Sequence, residues 1–137
     1  MRAVVDTNVI AYFLLGTDGF REECERFWRD VEDPIAPASW EVELTNVLWM
    51  ATRKQVIDLP EAVHRLELAK GLGIRSVAVS SLWSGALARA HASGVAAYDT
   101  IFVELADRES RPLATFDEPV MKAFPRLAMR PRRVRDK

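Results

Sequence analysis

Short apolar segments rich in β-branched residues alternate along this chain with longer amphipathic segments. Residues 2–6 are mostly apolar and β-branched without a helical period, which predicts a buried strand. The next segment repeats its apolar residues at helical spacing and stops at Gly16, which predicts a helix ended by a glycine. The same alternation continues toward the C-terminus. Further strands or extended segments are predicted over 34–38, 74–79, 112–116 and 127–129, and helices over 8–15, 20–31, 39–54, 58–71, 80–94, 99–108 and from 117 onward.

Strands that alternate with helices through short connections predict a parallel sheet covered by helices on both faces. The expected fold class is therefore α/β, a three-layer α/β/α sandwich with a short central parallel sheet. A length of 137 residues fits one domain, which we predict over 1–130, followed by a basic C-terminal tail over 131–137. Ser80 or Ser81 is the predicted cap of the helix that ends at Gly94.

Composition excludes several classes of protein. Hydrophobic residues make up 49% and charged residues 28% of the chain, which is typical of a globular protein and unlike a disordered one. A single cysteine, Cys24, allows no internal disulfide and favours a reducing compartment. No apolar stretch approaches the roughly 20 residues that span a bilayer, and Asp6 interrupts any secretory-signal pattern near the start. We therefore expect a cytoplasmic protein.

Charge is nearly balanced overall but unevenly distributed. The 19 basic and 20 acidic residues give a net charge of −1. Six basic residues and one acid lie within 126–137, which leaves 13 basic and 19 acidic residues elsewhere and a net −6 there. An acidic body is unlike the basic face of a simple nucleic-acid binder. Arg130, Arg132 and Arg133 are candidate contacts to RNA phosphates, with a solvated terminus as the alternative.

Three aspartates follow predicted strands or extended segments. Asp6 ends the first strand, Asp99 follows residues 95–98, and Asp117 follows the strand through Phe116. Polar groups just past the carboxyl ends of parallel strands converge on one crevice. Each aspartate taken alone is also explained as the N-cap of the helix that follows it.

A fourth acid lies on the helix predicted to begin at Ser39. Glu43 lies at one margin of the apolar stripe of that helix, and Glu41 lies near the opposite margin. Helical periodicity alone does not choose between the two glutamates. For both, a solvated surface carboxylate is the alternative interpretation.

A shared crevice for four carboxylates has a chemical consequence. Each close pair of like charges costs about 1–4 kcal/mol at 4 Å, so the cluster must take up protons or bind a cation. Oxygen ligands without a nearby His or Cys favour Mg²⁺ or Mn²⁺ over zinc. A metal held in this way can activate water and stabilise the charge that grows on a phosphodiester.

Four short motifs carry these acids, namely Val4-Val5-Asp6-Thr7-Asn8, Glu43-Leu44-Thr45-Asn46-Val47-Leu48, Ala97-Tyr98-Asp99-Thr100 and Thr115-Phe116-Asp117. In their order and spacing they resemble the PIN-domain nucleases, and among these the VapC-type toxins of toxin–antitoxin pairs. The resemblance extends from the first strand to Asp117 and so covers nearly the whole chain. No single motif is specific, whereas four in order on the predicted elements are far more so.

The resemblance implies roles for individual residues and a PIN-like fold. Asp6, Glu43, Asp99 and Asp117 would be the catalytic, metal-binding set, which favours Glu43 over Glu41. Thr100 stands where the family often has Ala. Polar neighbours that orient carboxylates or water would be Thr7, Asn8 and Thr115.

The same resemblance implies an activity and partners. The expected protein is an Mg²⁺-dependent endoribonuclease that cleaves RNA phosphodiester bonds with metal-activated water, and Mn²⁺ can substitute for Mg²⁺. It would be the toxin of a type II toxin–antitoxin system, inhibited by a VapB-type antitoxin and assembled as a homodimer. Trp49, on the helix face opposite the apolar stripe, is a candidate partner contact.

Two other functions remain open from the residues alone. One is a PIN-like protein whose acidic pocket is catalytically inactive and which serves as a protein-binding module. The other is a receiver-like phosphoacceptor. That second alternative is disfavoured because Asp6 has no adjacent acid and no Lys directly follows Asp117.

Overall fold

Five parallel strands form a single sheet through the part of the chain that the structure, a computed structural model, describes, residues 1–135. The order of the strands is β3-β2-β1-β4-β5. Every pair of neighbouring strands is parallel, and Val4 of the central strand aligns with Ile35 on one side and Leu113 on the other. The strands are β1 (Arg2–Val5), β2 (Glu32–Pro37), β3 (Arg75–Val77), β4 (Leu113–Ala114) and β5 (Ala128–Met129).

Helices connect the strands and cover both faces of the sheet. Residues 3–5 of β1 are all fully buried, as a strand with helices on both faces must be, because its successive side chains point to opposite faces. The predicted three-layer α/β/α sandwich is confirmed. The helices are α1 (Thr7–Leu15), α2 (Arg21–Asp30), α3 (Trp40–Arg53), α4 (Leu59–Lys70), α5 (Trp83–Ser93), α6 (Ala97–Arg108) and α7 (Glu118–Ala123), with 3₁₀ turns at Val79–Ser81 and Pro131–Arg133.

The sheet reverses its strand order between β1 and β4. From β1 the chain builds outward through β2 and β3 on one side, and then returns to place β4 on the other side. In parallel sheets a crevice opens at this switch point, outside the carboxyl ends of the strands. The order also differs from the 2-1-3-4-5 order of flavodoxin-like sheets, to which receiver modules belong. The fold therefore argues against the receiver-like alternative.

Two details of the sequence predictions are wrong. Neither Ser80 nor Ser81 caps α5, because both lie in a 3₁₀ turn and the helix begins after Leu82 without a side-chain cap. Asp99 is not an N-cap either, since α6 begins after Ala96 and Asp99 lies within its first turn. A cap preference describes what a residue favours locally, and α5 and α6, which pack against each other, both begin without a side-chain cap.

The C-terminal segment lies against α2. Pro131 and Val134 are buried, and the 3₁₀ turn of this segment packs on α2. Residues 136 and 137 of the predicted tail lie outside the described residues, and the division of the chain at residue 130 stays a prediction. Within residues 1–135, no helix is both long enough and apolar enough to cross a membrane.

Candidate active site

Asp6 lies directly beyond the end of β1 and caps α1. Its backbone N–H donates to Ala114 O at 3.0 Å, which continues the pairing of β1 with β4. Its Oδ1 accepts from Thr7 N at 2.7 Å, and its Oδ2 accepts from Thr115 Oγ1 at 2.6 Å. The carboxylate is therefore fixed in orientation at the switch point, with Asp6 only 7% exposed.

Thr115, fully buried after β4, connects three groups of the site. Its hydroxyl donates to Asp6 Oδ2, and it accepts from Asp117 N at 3.0 Å and from Asn8 Nδ2 at 3.4 Å. Asn8 in turn accepts from Phe116 N at 3.2 Å and donates to Asp6 Oδ2 at 3.5 Å. The side chains of Thr115 and Asn8 thus link the Asp6 carboxylate to the backbone at residues 116 and 117.

Thr7 contacts the acids through its backbone. Its backbone N–H contacts Asp6, but its hydroxyl is buried without a hydrogen-bond partner among the described residues. The hydroxyl of Ser39, just before α3, is in the same condition. Ser39 lies one helical turn before Glu43, and this spacing of four residues could have identified it from the sequence.

Asp117 caps α7 as predicted. Its Oδ1 accepts from Val120 N at 3.1 Å, and its backbone N–H is held by Thr115. The other carboxylate oxygen, Oδ2, has no hydrogen bond within residues 1–135, so it is available to a ligand.

The two glutamates of α3 have different surroundings. Glu41 is exposed and accepts a hydrogen bond from Ser76 Oγ at 3.2 Å. Glu43 is half-buried and lies near enough to Asp6 and Asp99 for their charges to act on it. Of the pair, only Glu43 is coupled to the other acids.

The four acids form one electrostatic group. Burial, together with the charges of Asp99 and Asp117, raises the pKa of Asp6 to about 6, against the opposing hydrogen bonds from Thr115 and Thr7. Burial raises the pKa of Glu43 to about 7, with the charges of Asp6 and Asp99 adding to it. Ser39 Oγ opposes part of this rise by proximity, although it does not reach hydrogen-bonding geometry.

Asp99 belongs to the same group. Its position on the first turn of α6 leaves it half-buried, and burial followed by the charge of Asp117 raises its pKa. In the described part of the chain, no Lys, Arg or His forms an ion pair with any of the four acids. Residues 1–135 therefore leave this negative charge without an ion-paired cation.

The donors present fit a hard divalent cation in chemistry. They are carboxylate oxygens and hydroxyls without nitrogen or sulfur, which is the ligand set of Mg²⁺. The two unpartnered hydroxyls of Thr7 and Ser39 are acceptors and donors that an ion's water shell would satisfy. As the side chains stand, no three His, Cys, Asp or Glu residues within 1–135 form a ready ligand group.

The three arginines predicted to contact RNA have different surroundings. Arg130 Nη2 donates to Glu23 Oε1 at 2.6 Å and its Nε to Oε2 at 3.3 Å, so its charge is already paired. Arg132 and Arg133 are exposed on the 3₁₀ turn that follows. These three and Arg135 line an open depression of about 560 Å³ beside β5.

Thr100 has a structural contact that the sequence did not indicate. It is fully buried, and its Oγ1 donates to Ala86 O at 2.7 Å. The hydroxyl therefore joins α6 to α5 rather than facing the acids.

Comparison with known proteins identifies the family. The model of the PIN domain family matches residues 3–127, and the chain belongs to that family. Ribonuclease VapC3 from Pyrobaculum aerophilum is 30% identical over 131 residues, which cover 93% of this chain and 98% of that protein.

A solved structure shares the fold. In the crystal structure of VapBC2 from Rickettsia felis bound to a DNA fragment from their promoter, one chain superposes with a TM-score of 0.62 at 13% identity. The match covers 95% of this chain and 98% of that one. The predicted resemblance to PIN-domain proteins of the VapC type is confirmed.

Proposed function

We propose that this protein is an Mg²⁺-dependent endoribonuclease and the toxin of a type II toxin–antitoxin pair. The observation that carries the proposal is the group of four acids at the switch point of the sheet, with which no Lys, Arg or His of residues 1–135 forms an ion pair. Such charge lowers stability unless a cation binds, and perturbed carboxylates in a crevice are typical of catalytic sites. The 30% identity to a ribonuclease over nearly the full chain supports RNA as the substrate.

Asp6, Glu43, Asp99 and Asp117 are the proposed metal-binding and catalytic residues. Asp6 is held rigidly by Thr7 N and Thr115 Oγ1, so it is suited to fix the position of the ion. Asp117 has an oxygen that no hydrogen bond occupies, so it can complete a ligand set by a small rotation. When bound, Mg²⁺ or Mn²⁺ supplies activation of the attacking water and neutralises the charge that develops on the phosphodiester.

The supporting residues hold these carboxylates in place. Thr115 and Asn8 connect Asp6 with the backbone at residues 116 and 117, so the same hydrogen bonds position Asp6 and Asp117. Thr7 and Ser39 offer their free hydroxyls to water at the ion. Arg132 and Arg133, with Arg130 fixed beside them, are the proposed contacts to RNA phosphates.

The proposal includes a VapB-type antitoxin as partner. The structural neighbour is a VapBC complex, which supports a partner of that kind. Exposed apolar side chains on α3 and α4 include Val42, Trp49 and Val63. Two adjacent helices with such residues suit an amphipathic helix laid between them.

A homodimer is the proposed assembly. Trp83, Leu87 and Tyr98 are 62%, 67% and 80% exposed at α5 and the start of α6, which is more than a lone chain usually leaves in one region. We expect Leu87→Asp to give a monomer in size-exclusion chromatography with light scattering, with Val63→Asp, on α4, as a control that stays dimeric. A monomeric native protein would contradict this assembly.

The proposed site of action is the cytoplasm, whose reducing conditions suit the single Cys24.

The catalytic proposal is tested by RNA cleavage with Mg²⁺ or Mn²⁺ and with EDTA. We expect cleavage with either metal, none with EDTA, and loss of cleavage in Glu43→Gln. Glu41→Gln, two residues away on the same helix but outside the acid group, is the matched control and should cleave normally. Cleavage that persists in EDTA, or equal rates for the two variants, would contradict the proposal.

A further inference from the structure

Three aromatic rings form a cluster beside the acids. Tyr12 comes from α1, Phe20 from the loop before α2, and Phe116 from the segment between β4 and α7. The ring centroids of Tyr12 and Phe20 are 4.6 Å apart, those of Phe20 and Phe116 4.8 Å, and those of Tyr12 and Phe116 5.5 Å. We refer to these three residues as the aromatic cluster.

The aromatic cluster adjoins the acids through the backbone. Phe116 stands between Thr115 and Asp117, and its N–H is held by Asn8 Oδ1. Tyr12 lies one helical turn after Asn8 on α1, and therefore on the same side of that helix. The cluster therefore lies next to the segments that carry Asp6 and Asp117.

The three rings are not fully buried in the hydrophobic core. All three are half-buried, and only Phe116 packs against the hydrophobic core. The Tyr12 hydroxyl has no hydrogen-bond partner among the described residues and is not sealed from solvent. The cluster therefore retains apolar surface and one free polar group at the rim of the site.

The planar guanidinium of Arg130 lies against two of the three rings. Its guanidinium lies 5.1 Å from the Phe116 centroid and 5.9 Å from that of Phe20. Glu23, whose side chain is 13% exposed, holds it from the other side through two hydrogen bonds. Because Glu23 neutralises the charge, Arg130 contributes a planar surface more than a free cation.

We propose that the aromatic cluster with Arg130 is a stacking site for one unpaired nucleobase of the RNA. This inference rests on the proposed function, because it supplies the substrate with a contact beside the scissile phosphodiester. The body of the chain carries a net −6 outside residues 126–137, so its charge gives the RNA backbone little attraction near the acids, and contacts to bases would add affinity there. Aromatic rings and guanidinium planes bind bases through their faces without regard to sequence.

The stacking site also predicts which RNA is bound. A base within a duplex has both faces covered by its neighbours, whereas an unpaired base can leave the stack and lie on a protein ring. The protein should therefore bind single-stranded or looped RNA in preference to a continuous duplex.

The test measures binding in an Asp6→Asn background with Mg²⁺, so that the RNA stays intact. The probe is a short fluorescein-labelled single-stranded RNA followed by anisotropy. We expect Phe20→Ala to weaken binding about 10-fold, as loss of a base–aromatic stack does, and Phe20→Trp to bind like the parent. Val56→Ala shortens an exposed apolar side chain between α3 and α4 that lies outside both the acid group and the aromatic cluster, and it should change the affinity less than about 2-fold.

A second measurement assigns the effect to a base. The second measurement uses a series of RNAs with one abasic nucleotide at each position in turn. The parent should bind about 10-fold more weakly when one particular position is abasic, and the affinity of Phe20→Ala should not change with the base at that position. Equal losses in both proteins, or equal binding by Phe20→Ala and Val56→Ala, would overturn the stacking site. Where Phe20→Ala lowers the melting temperature, Phe20→Leu keeps the apolar volume without the ring. Weak binding by Phe20→Leu at an unchanged melting temperature supports the site, and parental binding contradicts it.

The outcomes separate this inference from the proposed function. If the native protein cleaves RNA with metal and the Phe20 variants bind RNA normally, the stacking site is contradicted and the proposed nuclease function is not. Base-dependent binding through Phe20 without cleavage in any divalent metal would retain the stacking site and remove the nuclease.

Discussion

The two ends of the central sheet hold their carboxylates in opposite ways. At the amino ends of the strands, Asp33 accepts two hydrogen bonds from Arg75 and, through Oδ2, one from Arg111, which lower its pKa to about 2. At the carboxyl ends, burial and neighbouring acids raise the pKa of Asp6 to about 6 and that of Glu43 to about 7. The same type of side chain is stabilised as an anion at one end and destabilised at the other.

The difference lies in whether the chain provides the cation. Arg111 is 9% exposed and also donates to the carbonyl of Asp33 at 2.8 Å, so the amino end is a closed structural network. No Lys or Arg within residues 1–135 is paired with an acid of the carboxyl end. A fold tolerates buried like charges only if protons or a ligand relieve them. The charge that the protein leaves uncompensated is therefore the better indicator of where a ligand belongs.

The largest effect that distinguishes the two ends should be on catalysis. We expect Asp6→Asn to lower the rate of RNA cleavage by about 1,000-fold or more, because metal activation supplies several kcal/mol of transition-state stabilisation. Asp33→Asn makes the same chemical change at the other end and should alter the rate by less than about 3-fold in folded protein. Single-turnover cleavage in Mg²⁺ measures both rates. Similar rates for the two variants would mean that the acids at the carboxyl ends have no special role.

The effect on stability should have the opposite order. Arg111→Met removes a buried partner of Asp33 and leaves its carbonyl unsatisfied, so we expect a loss of about 2 kcal/mol in the free energy of unfolding. Asp6→Asn removes a repelled charge and should leave the metal-free protein equally stable or more stable by about 1 kcal/mol. Urea denaturation at neutral pH in EDTA measures both. A destabilisation by Asp6→Asn as large as that by Arg111→Met would show that Asp6 is mainly structural.

The smallest expected effect is the response to pH. Because the folded-state pKa values of Asp6 and Glu43 lie above their ordinary values, the folded protein binds more protons than the unfolded chain between about pH 4 and pH 7. Stability of the metal-free protein should therefore fall as the pH rises through this window, by about 1–2 kcal/mol once solvent screening of the half-buried Glu43 is allowed for. Asp33, with its lowered pKa, contributes in the reverse direction, and its stabilisation is lost as the pH falls from about 4 toward 2.

Denaturation at pH 5.5 and at pH 8 checks this prediction. Mg²⁺ at pH 8 should restore stability, since a cation replaces the protons, and Asp6→Asn should flatten the dependence without metal. Stability that rises from pH 5.5 to pH 8 in EDTA would contradict the raised pKa values.

Sequence alone determined most of the elements of this fold. The helical period of apolar residues predicted the α-helices, and short runs of apolar or β-branched residues and prolines predicted the strands, each to within a few residues. Gly16 ends α1 with a φ of 61°, a left-handed conformation that glycine adopts without strain and that the sequence predicted. The parallel sheet also followed from local signals, since strands separated by helices have few other ways to pair.

Tertiary structure decided how the acids are used. Helical periodicity does not choose between Glu41 and Glu43. In the folded protein Glu41 accepts a hydrogen bond from Ser76, which is 35 residues away in the chain. The hydroxyl of Thr115 reaches Asp6 across 109 residues, and Arg130 reaches Glu23 across 107. A local sequence pattern cannot predict contacts between residues so far apart in the chain, because these contacts depend on which strands become neighbours in the sheet. Whether a charged residue is paired or left for a ligand is therefore a property of the folded protein, and the sequence could only nominate the candidates.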